Sequence, residues 1–131
     1  MTLGLADEAS VGIDLIEIDR VEAALERRPA LAERLFSPGE RAYAGERARP
    51  GRHLAARFAA KEAVVKALGE RGVPLSQIEI RIDPSGAPMV ELSGRASEIA
   101  LARSLEISVS LTHSRGIAGA VALVRAASAT G

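Results

Sequence analysis

The chain has 131 residues, 47% of them apolar and 2% aromatic, which suits a single domain with an aliphatic core. Lys and Arg total 17, as do Asp and Glu, and this neutrality argues against a general nucleic-acid binder. Cysteine is absent, which excludes disulfides, thiolate metal sites and a cysteine nucleophile. No apolar run approaches the ~18 residues of a membrane span. Met1–Ser10 has no basic or apolar leader region, so a cytoplasmic protein is expected.

Val11 to Ile18 reads as a strand, rich in β-branched residues. Its two-residue period puts Asp14, Ile16 and Ile18 on one face and Ile13, Leu15 and Glu17 on the other. Asp19 is the expected N-cap of a helix over Arg20–Arg28, with Val21, Ala24 and Leu25 as its apolar stripe and Pro29 as its stop. One or two helical turns are expected over 30–36. Ser37-Pro38-Gly39-Glu40 has the spacing of a helix start, with serine as cap and glutamate at the third position. That helix should run to about Ala48, where Arg49-Pro50-Gly51 breaks the chain. The strongest helix spans about Arg52 to Leu68, with Gly69 as a left-handed cap. Its Ala56, Ala60, Ala63 and Ala67 form a small-residue stripe that lets another element approach closely.

The second half reads as β-structure. Ile78, Ile80 and Ile82 alternate with polar residues over Gln77–Ile82, Asp83-Pro84-Ser85-Gly86 makes a turn, and Pro88–Leu92 returns. A short helix is expected from Ser93 to about Arg103. Leu105–Thr112 alternates Ile107, Val109 and Leu111 against Ser108, Ser110 and Thr112, and His113-Ser114-Arg115-Gly116 turns the chain. Ile117–Val124 is apolar on both faces, as a central or interface strand would be. The tails, about 1–9 and 126–131, are expected to be disordered. Helices early and hairpins late make one α+β domain over residues 1–131.

Four features could carry chemistry. Asp14 sits among aliphatic neighbours, where a lone carboxylate needs a metal, a basic partner or a strand-end exposure. Glu62 is spaced for an ordinary helical pair with Lys66, yet two carboxylates from different elements also make a minimal oxygen site for Mg²⁺ and a substrate phosphate. His113 follows a polar strand face and could bind phosphate, whereas His53 reads as helix-start surface. Residues 20–57 carry nine arginines against five glutamates, either a solvated face or a dock for an acidic partner. Of the 17 basic residues only Lys61 and Lys66 are lysines, the compact charge rather than the planar fork. No phosphate-binding glycine loop, nucleophile elbow or H-E-x-x-H stretch is present.

Gly12-Ile13-Asp14, followed by Phe58-Ala59-Ala60-Lys61-Glu62-Ala63-Val64-Val65-Lys66-Ala67, resembles the paired signature of 4′-phosphopantetheinyl transferases. The layout resembles the small bacterial holo-[acyl-carrier-protein] synthase type over about residues 10–125, including Glu17, Arg20, Arg57 and Val109–Ser114. The resemblance implies the fold of that family and transfer of the 4′-phosphopantetheine arm of coenzyme A to a serine of apo-acyl carrier protein, releasing adenosine 3′,5′-bisphosphate. It implies Asp14 and Glu62 as ligands of Mg²⁺, with Mn²⁺ as an alternative, and Lys66 as the cation at the leaving phosphate. Glu62 or a metal-bound water would be the base. Coenzyme A contacts are implied at Lys66, Lys61, Arg57, Ser110, His113 and Ser114, with the last three reaching across a subunit boundary of a trimer. Arg20, Arg27 and Arg28 match the surface that receives the acidic helix of a carrier protein from fatty-acid or polyketide synthesis. The chain departs from the family at Gly69–Pro74, which lacks the usual threonine and gains charges. The alternative is an inactive coenzyme A or carrier-protein binder of the same fold, against which the presence of Asp14, Glu62 and Lys66 argues.

Overall fold

The computed structural model describes residues 9–127. Strand β1 (Ala9–Glu17) runs without a loop into helix α1 (Ile18–Arg27), followed by α2 (Ala30–Leu35), α3 (Pro38–Gly45) and the long α4 (Pro50–Leu68). A 3₁₀ turn at Leu75–Gln77 leads into the hairpin of β2 (Ile78–Ile82) and β3 (Pro88–Leu92). Helix α5 (Gly94–Ala102) then precedes β4 (Leu105–Ser114) and β5 (Ile117–Ala126). The architecture is the α+β arrangement expected, with the β2–β3 and β4–β5 pairs in the second half and β1 joining β5 from the first. The expectation for the tails falls outside the described residues except at Ala9, Ala126 and Ala127, of which the first two belong to strands.

The main sheet has the order β1-β5-β4, antiparallel throughout, so the doubly apolar β5 is its central strand. Ala118, Ala120, Ala122 and Val124 of β5 face inward and are buried. Against them lie Ala59, Ala60, Ala63, Val64 and Ala67 of α4, with Ile78 and Ile80 of β2 closing the core. The expected alanine stripe is the contact surface. Its small side chains bring backbones together, and the closest approach is at Gly12. A Cβ there would stand 2.0 Å from the Ala63 carbonyl oxygen and 2.9 Å from the Ala67 nitrogen. Only glycine lets β1 lie this close to α4.

Two smaller clusters fix the other helices. Ile18 and Val21 of α1 pack with Ala55, Ala56 and Ala118, while Phe36 packs with Ala44 and Leu54. The Ser37–Glu40 start of α3 is a full capping box, in which Ser37 Oγ accepts from Glu40 N at 3.1 Å and Glu40 Oε1 accepts from Ser37 N at 2.9 Å. Gly69 closes α4 at φ 71°, as expected.

Several boundaries differ from the sequence reading. Helix α1 starts at Ile18 with Glu17 as N-cap and no side-chain cap, so Asp19 lies inside the helix. Ile18 N donates to Gly116 O at 2.8 Å, which ends the sheet ladder and starts the helix at one residue. Helix α3 stops at Gly45, short of Ala48, and α4 begins at Pro50, because proline suits a first helical position. Strand β4 keeps His113 and Ser114, so the turn is Arg115-Gly116, with Arg115 at φ 53°.

Candidate active site

Inward-facing positions of β1 are Gly12, Asp14 and Ile16, and the Gly12 contact holds this row against α4. Asp14 therefore meets the α4 residues one and two turns from Phe58. Lys66 Nζ donates to Asp14 Oδ1 at 3.1 Å and to Ile13 O at 3.0 Å. The helical Glu62–Lys66 pair expected from spacing does not form, because Lys66 reaches across to β1 instead. Glu62 is half-buried and has no hydrogen-bond partner among the described residues. Burial pushes its carboxyl up, the Asp14 carboxylate adds to that, and Lys66 opposes it. The result is two carboxylates and one ammonium at a half-open surface, an oxygen-rich set with excess negative charge at Glu62.

That donor set suits a hard divalent cation completed by water and phosphate oxygens. Among the described residues no group of three or more His, Cys, Asp or Glu forms an all-protein cage. Two carboxylates without a third fit Mg²⁺, which keeps several non-protein ligands.

Lys61 does not face this site, which corrects its assignment as a coenzyme A contact. It is fully buried, with Nζ 2.8 Å from Glu40 Oε1 and donating to the carbonyls of Ile78 and Leu75. Glu40 is buried as well, and its Oε2 accepts from Ile80 N at 2.9 Å. All three ammonium protons find acceptors, so the pair binds α4 to α3 and β2. It offers nothing to a ligand. The spacing of Lys61 from Glu62 carries the reason: neighbours on a helix point about 100° apart.

Arg57 is also buried, 3% exposed, with its guanidinium carbon 4.2 Å from the centre of the Tyr43 ring. Burial pulls its pKa down, against Glu40 and Tyr43. Its Nε is buried without a hydrogen-bond partner. Arg57 lines a cavity of about 380 Å³ with Tyr43, Glu79 and Arg81, on a different side of α4 from Asp14 and Glu62. Within one chain it stands apart from the Asp14 carboxylate.

His113 faces inward at the end of β4, opposite Ala118, and its ring meets His53 edge-on at 6.0 Å between centroids. His53 in turn meets Tyr43 at 6.0 Å, and Arg47 lies 3.6 Å over the Tyr43 ring. Burial and then the charges of Arg52, Arg57, His113 and Arg47 push the His53 imidazole below its ordinary value. Sequence reasoning passed over His53. Its spacing of four from Arg57 was the available signal, since it put both on one helix face.

Ser110 and Ser114 project from the opposite, outer face, where Ser110 pairs with Val121 and Ser114 with Ile117. They do not join Asp14 and Glu62 within one chain. Arg20 and Arg27 on α1, and Arg28 just past its end, are exposed and form no ion pair with a described residue.

The family model described as the 4′-phosphopantetheinyl transferase superfamily matches residues 10–121. The chain belongs to that superfamily. Among its relatives, the holo-[acyl-carrier-protein] synthase of Moorella thermoacetica is 51% identical over 121 residues, covering 86% of this chain and 91% of that one. The synthase of Syntrophus aciditrophicus is 47% identical over 118 residues, covering 86% and 92%. The ACPS–CoA complex of Chronobacterium ammoniagenes superposes with a TM-score of 0.81 at 32% identity, over 92% of this chain and 98% of that one. The Helicobacter pylori holo-[acyl-carrier-protein] synthase in complex with coenzyme A gives 0.76 at 31%, over 87% and 98%. The chain is thus an enzyme, a phosphopantetheinyl transferase. The match spans the strand with Asp14 and the helix with Glu62 and Lys66, so the transferase carries both halves of the signature in register.

Proposed function

We propose that the transferase moves 4′-phosphopantetheine from coenzyme A to a serine of apo-acyl carrier protein, with Mg²⁺ and in the cytoplasm. The observation that carries this is the convergence of Asp14, Glu62 and Lys66 from two elements on one surface. The serine oxygen attacks the phosphorus that bears the pantetheine. The bond from that phosphorus to the bridging oxygen breaks, and adenosine 3′,5′-bisphosphate leaves with the electron pair. Asp14 and Glu62 would hold the ion, and it supplies charge neutralisation on the pyrophosphate when bound. Lys66 uses two of its three protons on Asp14 and Ile13, and the third can meet the leaving phosphate. Glu62, with no donor on it, would take the serine proton.

The carrier is proposed to dock on α1. A groove of about 250 Å³ runs between α1 and α2, floored by Val21, Leu25, Leu35 and Phe58 and edged by Arg20 and Arg27. An apolar floor with a cationic edge suits an amphipathic acidic helix, with Arg28 one position further along.

We also propose a homotrimer. Cross-strand pairs Val11–Leu123 and Ile13–Val121 form an apolar patch on the outer face, where Ile13 and Leu15 are 59% and 68% exposed. A single soluble chain seldom leaves such a patch bare. Ser110 and Ser114 lie on this same face, so a second copy would bring them toward a ligand shared between subunits.

The test is intact mass of apo-acyl carrier protein after incubation with coenzyme A and the transferase. The expected gain is one phosphopantetheine, about 340 Da from its formula, abolished by EDTA and restored by Mg²⁺. Coenzyme A binding with no gain on any carrier would leave an inactive binder instead.

A further inference from the structure

The break at Arg49-Pro50-Gly51 builds a feature that the reaction does not require. Arg49 is the N-cap residue of α4, and it reaches back onto α1. Its Nε donates to Glu22 Oε2 at 3.1 Å and its Nη2 to Glu22 Oε1 at 2.8 Å, a two-pronged grip. The same Nη2 donates to Asp19 Oδ1 at 3.2 Å. Gly51 completes the seat, because a Cβ there would stand 2.3 Å from Glu22 Cγ. The hydrogen bond from Arg49 holds the Glu22 carboxyl below the usual carboxylate range. The grip is thus made of a fixed fork, a carboxylate laid over a bare backbone, and a second carboxylate.

The placement matters because α1 divides its charges by face. At 100° per residue, Asp19, Glu22 and Glu26 fall on one flank, while Arg20 and Arg27 fall together about a third of a turn away. Left alone, these three carboxylates would oppose Arg20 and Arg27 of this helix, and Arg28 just past its end, across its own ~10 Å width, within about one Debye length at physiological salt. Arg49 comes from another element and sets one positive charge against Asp19 and Glu22, offsetting half of their charge. Only Glu26 of the acidic flank then remains without an ion pair among the described residues.

We propose that Arg49 is a positioning residue for partner choice: its one positive charge, set against Asp19 and Glu22, weakens the acidic flank so that Arg20, Arg27 and Arg28 dominate the field that an acidic carrier helix meets. This rests on the carrier-docking reading above. Arg49 touches neither the carrier nor the reacting atoms, and acts through the carboxylates of α1.

The experiment measures KM for apo-acyl carrier protein and for coenzyme A, with kcat, at low salt and at 0.5 M salt. Arg49→Met should raise the carrier KM about threefold to tenfold at low salt and much less at high salt. The coenzyme A KM and kcat should hold. Arg49→Lys keeps the charge but loses the fork, so its carrier KM should fall between those of the parent chain and Arg49→Met. Adding Asp19→Asn and Glu22→Gln to Arg49→Met removes two negative charges for the one positive charge lost, and should return the carrier KM to the parent value or below it. The same two changes in the parent background uncover a cation and should lower the carrier KM, a check that holds even if Arg49→Met folds poorly. An unchanged carrier KM in Arg49→Met overturns the proposal, as does a raised KM that the carboxylate changes fail to rescue. Absence of any transfer by the parent chain is a different result, and it overturns the docking reading itself.

Discussion

Asp14, Glu62 and Lys66 form one charge system, so removing each has a distinct signature. Glu62→Gln keeps the shape and removes the unpartnered charge. Transfer should fall at least about 10²-fold, the scale of several kcal/mol of lost charge stabilisation, while the melting temperature stays level or rises. Normal turnover in a folded Glu62→Gln would remove Glu62 from the ion's ligands. Lys66→Met leaves Asp14 without its ammonium, so activity should drop with coenzyme A KM affected as well as kcat. His53 gives a pH test at this scale. Its imidazole is pushed below the ordinary value, so the unfolded chain binds more protons than the folded one as pH falls. Its stability contribution is full above the ordinary histidine range and is lost on acidification toward the lowered value. Thermal melts from about pH 7 to pH 5 should lose less stability in His53→Phe than in the parent chain. The groups facing His53 in that measurement are Tyr43, Arg47, Arg52, Arg57 and His113.

At the level of elements, the contact of β1 with α4 positions the chemistry. Gly12→Ala places a methyl group on the Ala63 carbonyl, and something must shift. Overpacking of this kind costs about 1–3 kcal/mol. Because the shift separates Asp14 from Glu62 and Lys66, turnover should fall further than the melting temperature alone explains. The buried Glu40–Lys61 pair acts differently, as a joint between α3, α4 and β2. Lys61→Met strands a buried carboxylate and should cost about 3–5 kcal/mol, read as a lower midpoint in chemical unfolding. Spacing made α4 legible as a helix and Ala56–Ala67 as its close-packing stripe. It did not make the burial of Lys61 legible, since a lysine beside the glutamate of the signature looks like a ligand until its acceptors are known. The capping box was readable at Ser37–Glu40, but the second use of Glu40, receiving both Lys61 and Ile80 N, was not.

For the whole molecule, the outer sheet face gives a direct test of assembly. Ile13→Lys or Leu15→Glu places a charge at the centre of the proposed subunit contact, with side chains already exposed in the single chain. The variants should stay folded and run as a smaller species in light scattering. Transfer should fall with the assembly, because Ser110 and Ser114 lie on that face and away from Asp14. A variant that remains assembled and fully active would move the subunit contact elsewhere.

What the sequence determined by itself is the local part. Two-residue alternation made the strands and their faces readable, so Asp14 was known to share the face of Ile16 and to oppose Ile13 and Leu15. Helical spacing, the Ser37 cap and Gly69 made the helices readable, and the two signature segments named the family. The tertiary structure decided which of these faces meet. Lys66 pairs with Asp14 and not with Glu62 because the glycine at position 12 lets β1 approach a helix lined with alanine. Lys61 and Arg57 turn inward because the same helix has other neighbours on those sides. Arg49 belongs electrostatically to α1, 27 residues away from Glu22, because the chain folds back there. Periodicity is set by backbone geometry within a few residues, whereas charge partners are chosen by packing across the whole chain.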